Sequence, residues 1–109
     1  MTEVILTLPE PIVSKILETS TIPILLFFTG PDCSACKMFE PNLQRVANER
    51  SNKLKIIKVD CSEDPNLASR YNVRSLPTLI LFSKAVLMNY KIGVSTYSDL
   101  INFLNVELY

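Results

Sequence analysis

The segment that decides the fold is Thr29-Gly30-Pro31-Asp32-Cys33-Ser34-Ala35-Cys36-Lys37, in which two residues separate a pair of cysteines. An apolar run, residues 24–28, ends just before it, and an amphipathic stretch starts at Cys36. The pattern predicts a strand leading into a helix, whose N-terminus has free backbone N–H groups and favours negative charge. A thiol there is biased towards the thiolate, and two thiols three positions apart can form a disulfide. The segment therefore predicts a reversible dithiol/disulfide site.

The two cysteines differ in their relation to the helix. Working outward from the pair, the apolar positions with helical spacing are Cys36, Phe39, Leu43, Val46 and Ala47. Cys36 thus belongs to the stripe that should face the core, whereas Cys33 lies at the open end of the helix. Pro41 lies inside the pattern and should kink the helix without ending it, because the stripe continues beyond it. This asymmetry predicts that Cys33 is the attacking thiol and Cys36 the resolving one.

Hydrophobic periodicity in the rest of the chain predicts the element order β-α-β-α-β-α-β-β-α. The predicted strands are residues 4–8, 24–28, 54–59, 78–82 and 86–92. The first helix should bury one face formed by Ile12, Val13, Ile16 and Leu17. Asp64 should cap the short third helix, and a closing helix should carry Tyr97, Leu100, Ile101, Leu104 and Leu108. No repeat or linker interrupts this order, which predicts one domain over residues 1–109.

The amino-acid composition narrows the range of possible functions. The 109 residues are 48% hydrophobic, and 11 basic side chains balance 11 acidic ones. This balance argues against a nucleic-acid or membrane-surface partner held by charge, and no apolar run approaches the roughly 20 residues of a membrane span. Three cysteines do not form a disulfide scaffold, and the N-terminus does not resemble a signal peptide. We therefore expect a monomeric protein of the reducing cytoplasm that needs no cofactor.

With these elements in place, the chain resembles the thioredoxin family over essentially its whole length. The resemblance is carried by Cys33-Ser34-Ala35-Cys36-Lys37, by Pro41, by Lys58-Val59-Asp60, by Gly93, and by the segment Tyr71-Asn72-Val73-Arg74-Ser75-Leu76-Pro77-Thr78-Leu79. It implies an α/β thioredoxin fold, with a central mixed five-stranded sheet of order 1-3-2-4-5 flanked by four helices. It also implies a cis Leu76–Pro77 bond packed against the cysteines.

The resemblance implies a substrate groove as well. Its expected residues are Pro31, Asp32, Ser34, Ala35, Leu76, Pro77 and Gly93. Leu76 should offer its backbone N–H and C=O to an extended substrate segment, which then binds by strand addition. Gly93 should allow close backbone approach on the far side. Without the cysteine pair, Pro77 reads equally well as an ordinary proline at the start of a strand.

The sequence departs from the family pattern at three places. Asp32 stands where the family usually has tryptophan, and a negative charge there should raise the pKa of Cys33. Ser34-Ala35 replaces Gly-Pro, so the reduction potential does not follow from the resemblance. Phe27 occupies the strand position where the family commonly buries an aspartate that assists the second cysteine. Lys58, the usual partner of that aspartate, is present, and together with Lys37 it is expected to modulate the thiol pKa values.

The leading hypothesis is therefore a thiol-disulfide oxidoreductase that reduces protein disulfides. A thioredoxin-reductase-like electron donor then reduces its Cys33–Cys36 disulfide again. The losses at positions 27 and 32 keep open a thioredoxin-fold module that binds a partner protein without turnover. A metal cluster shared by two chains is a weaker alternative, since one chain offers three cysteines and no histidine. Cys61 fits either a buried strand end or the rim of the groove, and we expect partial exposure and no bridge to Cys33 or Cys36.

Overall fold

The computed structural model describes residues 5–94 and 96–105, which form one five-stranded sheet and four helices. The elements are β1 (Ile5–Thr7), α1 (Glu10–Thr19), β2 (Ile24–Thr29), α2 (Ser34–Glu49), β3 (Lys55–Asp60), α3 (Pro65–Arg70), β4 (Thr78–Ser83), β5 (Val86–Ile92) and α4 (Tyr97–Leu104). The predicted order of elements is thereby confirmed. Val4 and Leu108, which the sequence placed in the first strand and the last helix, lie outside the described residues.

The strand order in the sheet is β1-β3-β2-β4-β5, as the resemblance implies. β1 and β2 both run parallel to β3, while β4 runs antiparallel to β2 and to β5. β2 is therefore the middle strand, and every residue from Ile24 to Thr29 is buried. Because β2 leads directly into the cysteine segment, the best-packed strand of the molecule anchors the site.

Alternation along the strands divides the core between the two faces of the sheet. Leu25, Phe27 and Ile56 pack with α2 and α4, whereas Leu26, Phe28 and Ile57 pack with α1 and α3. Successive side chains of a strand point to opposite faces, so continuously apolar strands serve both layers at once. The redox segment continues into α2 and therefore belongs to the first of these two layers.

The helix that carries the cysteines agrees closely with its predicted pattern. α2 buries Cys36, Phe39, Leu43, Val46 and Ala47, the five positions of the predicted stripe. It continues without interruption through Pro41 to Glu49. The interior proline is therefore accommodated inside one helix.

Two local predictions were wrong. Ile12 does not belong to the buried face of α1, since it is 47% exposed while Val13 and Leu17 are buried. Only Val13 and Leu17 of α1 are buried and Ile16 is half-buried, so the face of the helix that meets the sheet is narrower than the four predicted residues indicate. Asp64 occupies the position before α3, but its side chain makes no capping hydrogen bond. The Thr96 side chain, by contrast, accepts a hydrogen bond from the Asp99 N–H at 3.0 Å and caps α4.

The β4–β5 hairpin closes through Lys84 and Ala85, which both have positive φ angles, 52° and 68°. Two successive left-handed residues are typical of a type I′ turn, whose twist matches that of the strands it joins. Beyond β5, Gly93 has a φ of 91°, a conformation that residues with a side chain rarely adopt. These turns bring the end of β5 next to the start of β4, where the predicted groove lies.

Candidate active site

The two cysteines of the redox segment are joined by a disulfide at the start of α2. Their Cα atoms are 5.2 Å apart, within the range that a disulfide needs. Cys33 is the N-cap of α2, and its Sγ accepts a hydrogen bond from the Cys36 N–H at 3.1 Å. This N–H is one of the free donors of the first helical turn, so the helix end stabilises negative charge that develops on the Cys33 sulfur.

Exposure distinguishes the two sulfur-bearing residues. Cys36 is 1% exposed and belongs to the core cluster between the sheet and α2. Cys33 is half-buried and packs against the edge of that cluster. A reagent arriving from solvent therefore meets Cys33 first.

The loop before β4 forms the second part of the site. The Leu76–Pro77 peptide bond is cis, as the resemblance implies, and Pro77 is buried while Leu76 is half-buried. The Pro77 C=O accepts a hydrogen bond from the Gly93 N–H at 2.9 Å, which ties this loop to the end of β5. Within residues 5–94 and 96–105, neither backbone group of Leu76 has a hydrogen-bond partner. As far as the described residues go, both groups are available to pair with another chain.

Gly30 lies where the two loops meet and was not among the predicted site residues. A Cβ atom at Gly30 would lie 3.0 Å from Cδ1 of Leu76, closer than side chains normally approach. The absence of a side chain therefore lets the segment before the cysteines approach the loop that carries Leu76. A glycine directly after a buried strand was the available signal, but it gave no indication of its partner 46 residues away.

The other predicted groove residues lie on the same segment as the cysteines. Pro31, Asp32 and Ser34 are exposed, and Ala35 is half-buried. Lys37 is exposed on the first turn of α2. The surface around the disulfide therefore carries both signs of charge. Along the chain, the acidic group, Asp32, directly precedes the disulfide, and the basic group, Lys37, directly follows it.

Phe27 fills the strand position at which the resemblance implies a buried aspartate. It is 0% exposed and packs edge-on against Phe39 of α2, with ring centroids 6.4 Å apart and an interplanar angle of 67°. Its neighbours in the sheet are Lys58 on β3 and Leu79 on β4. Beneath the cysteines, therefore, an aromatic contact takes the place of a buried carboxylate.

Lys58 has a different acidic partner. Its Nζ lies 3.0 Å from Oε1 and 3.1 Å from Oε2 of Glu40, on α2. Both side chains are about one-third exposed, at 34% and 32%. Glu40 was not among the predicted site residues, although it lies one helical turn after Cys36 in the predicted helix.

Cys61 is half-buried and forms no disulfide, as predicted. It packs at the edge of the cluster on the α1 and α3 face, whereas Cys33 packs on the other face. Burial raises the pKa of its thiol above the usual 9.0, and the charges of Asp60 and Asp64 act in the same direction. Cys61 is therefore a weakly ionised thiol that belongs to the opposite layer.

Two features of the described part of the chain bear on other classes of function. In residues 5–94 and 96–105 no three histidine, cysteine, aspartate or glutamate side chains are grouped as metal ligands. Nor does any helix in those ranges have the length and apolar character needed to cross a membrane.

A bonded cysteine pair at a helix N-terminus, beside a cis-proline loop on a mixed five-stranded sheet, defines a thiol–disulfide protein. The family profile described as thioredoxin matches residues 5–106. A thioredoxin of Rickettsia felis is 34% identical over 86% of this chain and 89% of its own, and thioredoxin 1 of Synechococcus elongatus is 35% identical over 86% and 87%. A thioredoxin of Buchnera aphidicola is 32% identical over 99% of both chains. The chain belongs to the thioredoxin family, and its chemistry is that of a protein-disulfide oxidoreductase.

Proposed function

We propose that this oxidoreductase reduces target proteins by attack of Cys33 and resolution by Cys36. The Cys33 thiolate attacks a target disulfide, forms a mixed disulfide and expels one target thiolate. Cys36 then loses its proton, attacks the Cys33 sulfur and expels the second target thiolate. The target gains two electrons and two protons, and the protein is left with the Cys33–Cys36 disulfide. A thioredoxin-reductase-like donor returns the electrons.

The observation that carries this assignment is the unequal exposure of the two bonded cysteines. Cys33 is half-buried and accepts the Cys36 N–H at 3.1 Å, while Cys36 is 1% exposed. A target disulfide can reach the first sulfur without any rearrangement of the core. Cys36 is shielded from a disulfide that arrives from solvent but lies within bonding reach of the Cys33 sulfur, which is the requirement for a resolving thiol.

Substrate binding is assigned to the groove beside the disulfide. The backbone N–H and C=O of Leu76, which have no hydrogen-bond partner among the described residues, support strand addition by an extended target segment, since β4 starts two residues later. Pro77 and Gly93 hold this loop, and their backbone hydrogen bond of 2.9 Å supports that role. Pro31, Asp32, Ser34 and Ala35 form the opposite wall.

The remaining parts of the proposal concern the modulating charges and the setting. Asp32 opposes thiolate formation at Cys33, whereas Lys37 and Lys58 favour thiolates by their positive charge. We further propose that residues 1–109 act as one monomeric domain in the cytoplasm, where a reducing environment keeps the dithiol available. Neither nucleic acid nor a membrane surface takes part.

Reduction of insulin by dithiothreitol, with and without the protein, tests the function. The wild-type protein should accelerate the reaction, and Cys33→Ser should abolish the acceleration. Reduced Cys36→Ser that has been freed of dithiothreitol should instead accumulate a stable mixed disulfide with insulin, visible on a non-reducing gel. Alkylation of the reduced protein near neutral pH should label Cys33 before Cys36.

Three results would contradict the proposal. A folded protein with an intact, reducible disulfide that leaves insulin untouched would favour the partner-binding module. Faster labelling of Cys36 would reverse the roles of the thiols. Mixed disulfides that accumulate in Cys33→Ser and not in Cys36→Ser would do the same.

A further inference from the structure

Resolution requires that Cys36 lose a proton, because the thiolate and not the thiol attacks the mixed disulfide. The side chain of Cys36 is 1% exposed and shares its cluster with apolar residues such as Phe27 and Phe39. Burial among apolar groups raises a thiol pKa and slows ionisation. The chain has no histidine, so the proton acceptor must be a carboxylate, a lysine, a tyrosine or water.

Glu40 is the carboxylate on the same helix face as Cys36. Residues four apart on a helix have Cβ atoms about 5–6 Å from one another, so Glu40 lies one turn below the buried sulfur. Its side chain is 32% exposed and borders a surface depression of about 470 Å³ with Lys37, Pro41 and Gln44. A proton taken up by this carboxylate can therefore pass to solvent.

Lys58 holds the Glu40 carboxylate against the sheet. It contacts both oxygens, at 3.0 and 3.1 Å. Lys58 neighbours Phe27 in the sheet, and alternation directs both side chains to the face on which Cys36 packs. The ammonium group therefore fixes the carboxylate at the edge of the layer that contains the resolving thiol.

The other charged or titratable groups of this layer are less suited to accept the proton. On β3, the Asp60 carboxylate accepts the Ser62 N–H at 2.9 Å and the Ser62 hydroxyl at 2.6 Å, and these bonds lower its pKa. Asp32 and Lys37 are exposed at the start of α2. On α4, Tyr97 donates its hydroxyl to Glu49, near the far end of α2. On β5, Lys91 faces the same layer but lies two strands away from Phe27 in the sheet.

We propose that Glu40 accepts the proton of Cys36 during resolution, through an intervening water, and that Lys58 is a positioning residue for Glu40. The Cys36 S–H bond breaks, the proton goes to the Glu40 carboxylate, and the electron pair forms the new bond to the Cys33 sulfur. The Cys33–target bond breaks, and the target thiolate leaves with the electrons of that bond. Glu40 then returns its proton to the leaving thiolate or to solvent. This inference rests on the roles proposed above for the two cysteines.

The two steps can be timed separately with an equimolar aromatic disulfide, dithiobis(nitrobenzoate), whose released thiolate is coloured. In the reduced protein, Cys33 attacks the aromatic disulfide and releases the first thiolate. Cys36 then resolves the mixed disulfide and releases the second. Glu40→Gln removes the acceptor at nearly constant volume, and Glu40→Asp retains a carboxylate. Glu18→Gln is the matched control, because Glu18 is exposed on α1, on the opposite face.

Glu40→Gln should leave the first phase unchanged and slow the second by about tenfold or more, the lower part of the range for general base catalysis. Lys58→Gln should slow the second phase by a smaller factor, and Glu40→Asp should restore part of the rate. The control should match the wild type in both phases.

The pH profile provides a readout that a purely structural role would not change. With Glu40 in place, the second phase should vary less with pH between pH 6 and pH 8, because removal of the Cys36 proton then does not depend on thiolate formed by solvent. In Glu40→Gln it should rise about tenfold per pH unit below the pKa of Cys36, since only thiolate formed by solvent can react. Lys58, Asp60, Asp32 and Lys37 are present in both proteins, so the difference reports on Glu40.

The possible results separate the inference from the function on which it rests. A second phase of equal rate and pH dependence in wild type and Glu40→Gln overturns the role of Glu40 and leaves the two-cysteine mechanism intact. A wild-type protein that releases only one thiolate contradicts the resolving role of Cys36 instead. If both phases slow together in Glu40→Gln, the substitution has disturbed Cys33, and the proposed division of labour is wrong.

Discussion

Replacing Phe27 with alanine measures what the chain gains from an aromatic ring below the redox site. The side chain is 0% exposed and packs against Phe39 in a region closed by β3 and β4. Removal of a buried phenylalanine side chain costs about 3–5 kcal/mol, through lost transfer energy and the cavity that remains. The total free energy of unfolding of a domain is about 5–15 kcal/mol, so Phe27→Ala should consume a large part of it.

Part of this cost should come from the edge-on contact with Phe39. The rings lie 6.4 Å apart at 67°, a geometry in which aromatic pairs contribute about 0.5–1.5 kcal/mol beyond burial. A double-mutant cycle of Phe27→Leu and Phe39→Leu should return a coupling energy in this range. Leucine keeps most of the apolar volume, so each single variant should remain folded.

Urea unfolding of the oxidised protein is the assay, with Ile12→Ala as the control at a 47% exposed position. Phe27→Ala should lower the midpoint without changing the slope, and Ile12→Ala should change the free energy of unfolding by no more than about 0.5 kcal/mol. A loss below about 1.5 kcal/mol in Phe27→Ala would refute the reasoning, because it would mean that the surrounding core collapses into the space or never enclosed the ring.

Three further changes test other parts of the site. Asp32→Asn should lower the pKa of Cys33 by removing a like charge beside the thiolate, seen as an earlier rise of thiolate absorbance with pH; an unchanged titration would mean that solvent screens Asp32. Gly30→Ala should push Leu76 aside, because the new Cβ would lie 3.0 Å from its Cδ1, and should raise the KM for insulin more than it lowers kcat; an unchanged KM would remove Leu76 from the binding groove. Cys61→Ser should keep reductase activity and lose any covalent dimer formed under oxidants. Since burial raises the pKa of the Cys61 thiol, the folded state holds this proton more tightly than the unfolded chain, and wild-type stability should fall as pH rises through about 9 and above; this alkaline loss should be smaller in Cys61→Ser, and equal losses would contradict it.

Periodic features of the sequence were sufficient to predict the framework of the site. The stripe from Cys36 to Ala47 matches the buried face of α2 because a helix repeats its environment every three or four residues. The cis bond before Pro77 and the strand order followed from the resemblance, not from periodicity. Ile12 was misassigned because periodicity gives the direction of an apolar side chain but not how far the neighbouring layer extends over it.

The contacts around the cysteines that depart from the family pattern could not be predicted from the local spacing of apolar and polar residues. Glu40 and Lys58 meet across the boundary between α2 and β3, 18 positions apart in the chain. The fit of Gly30 against Leu76 likewise depends on two loops that are distant along the chain. Such contacts depend on how helices, strands and loops are placed relative to one another in the folded protein. The spacing of residues in a single sequence does not give that placement.

The alternation of side chains across the sheet also makes the molecule two-sided in a practical sense. The redox pair and the Glu40–Lys58 contact lie on one side, while Lys15 and Glu18 are exposed on α1, on the other. A fluorophore, an affinity tag or a solid support attached to α1 would leave the groove open to large targets. A covalent bait for capturing partners can therefore be immobilised in one defined orientation, with its reactive side facing the sample.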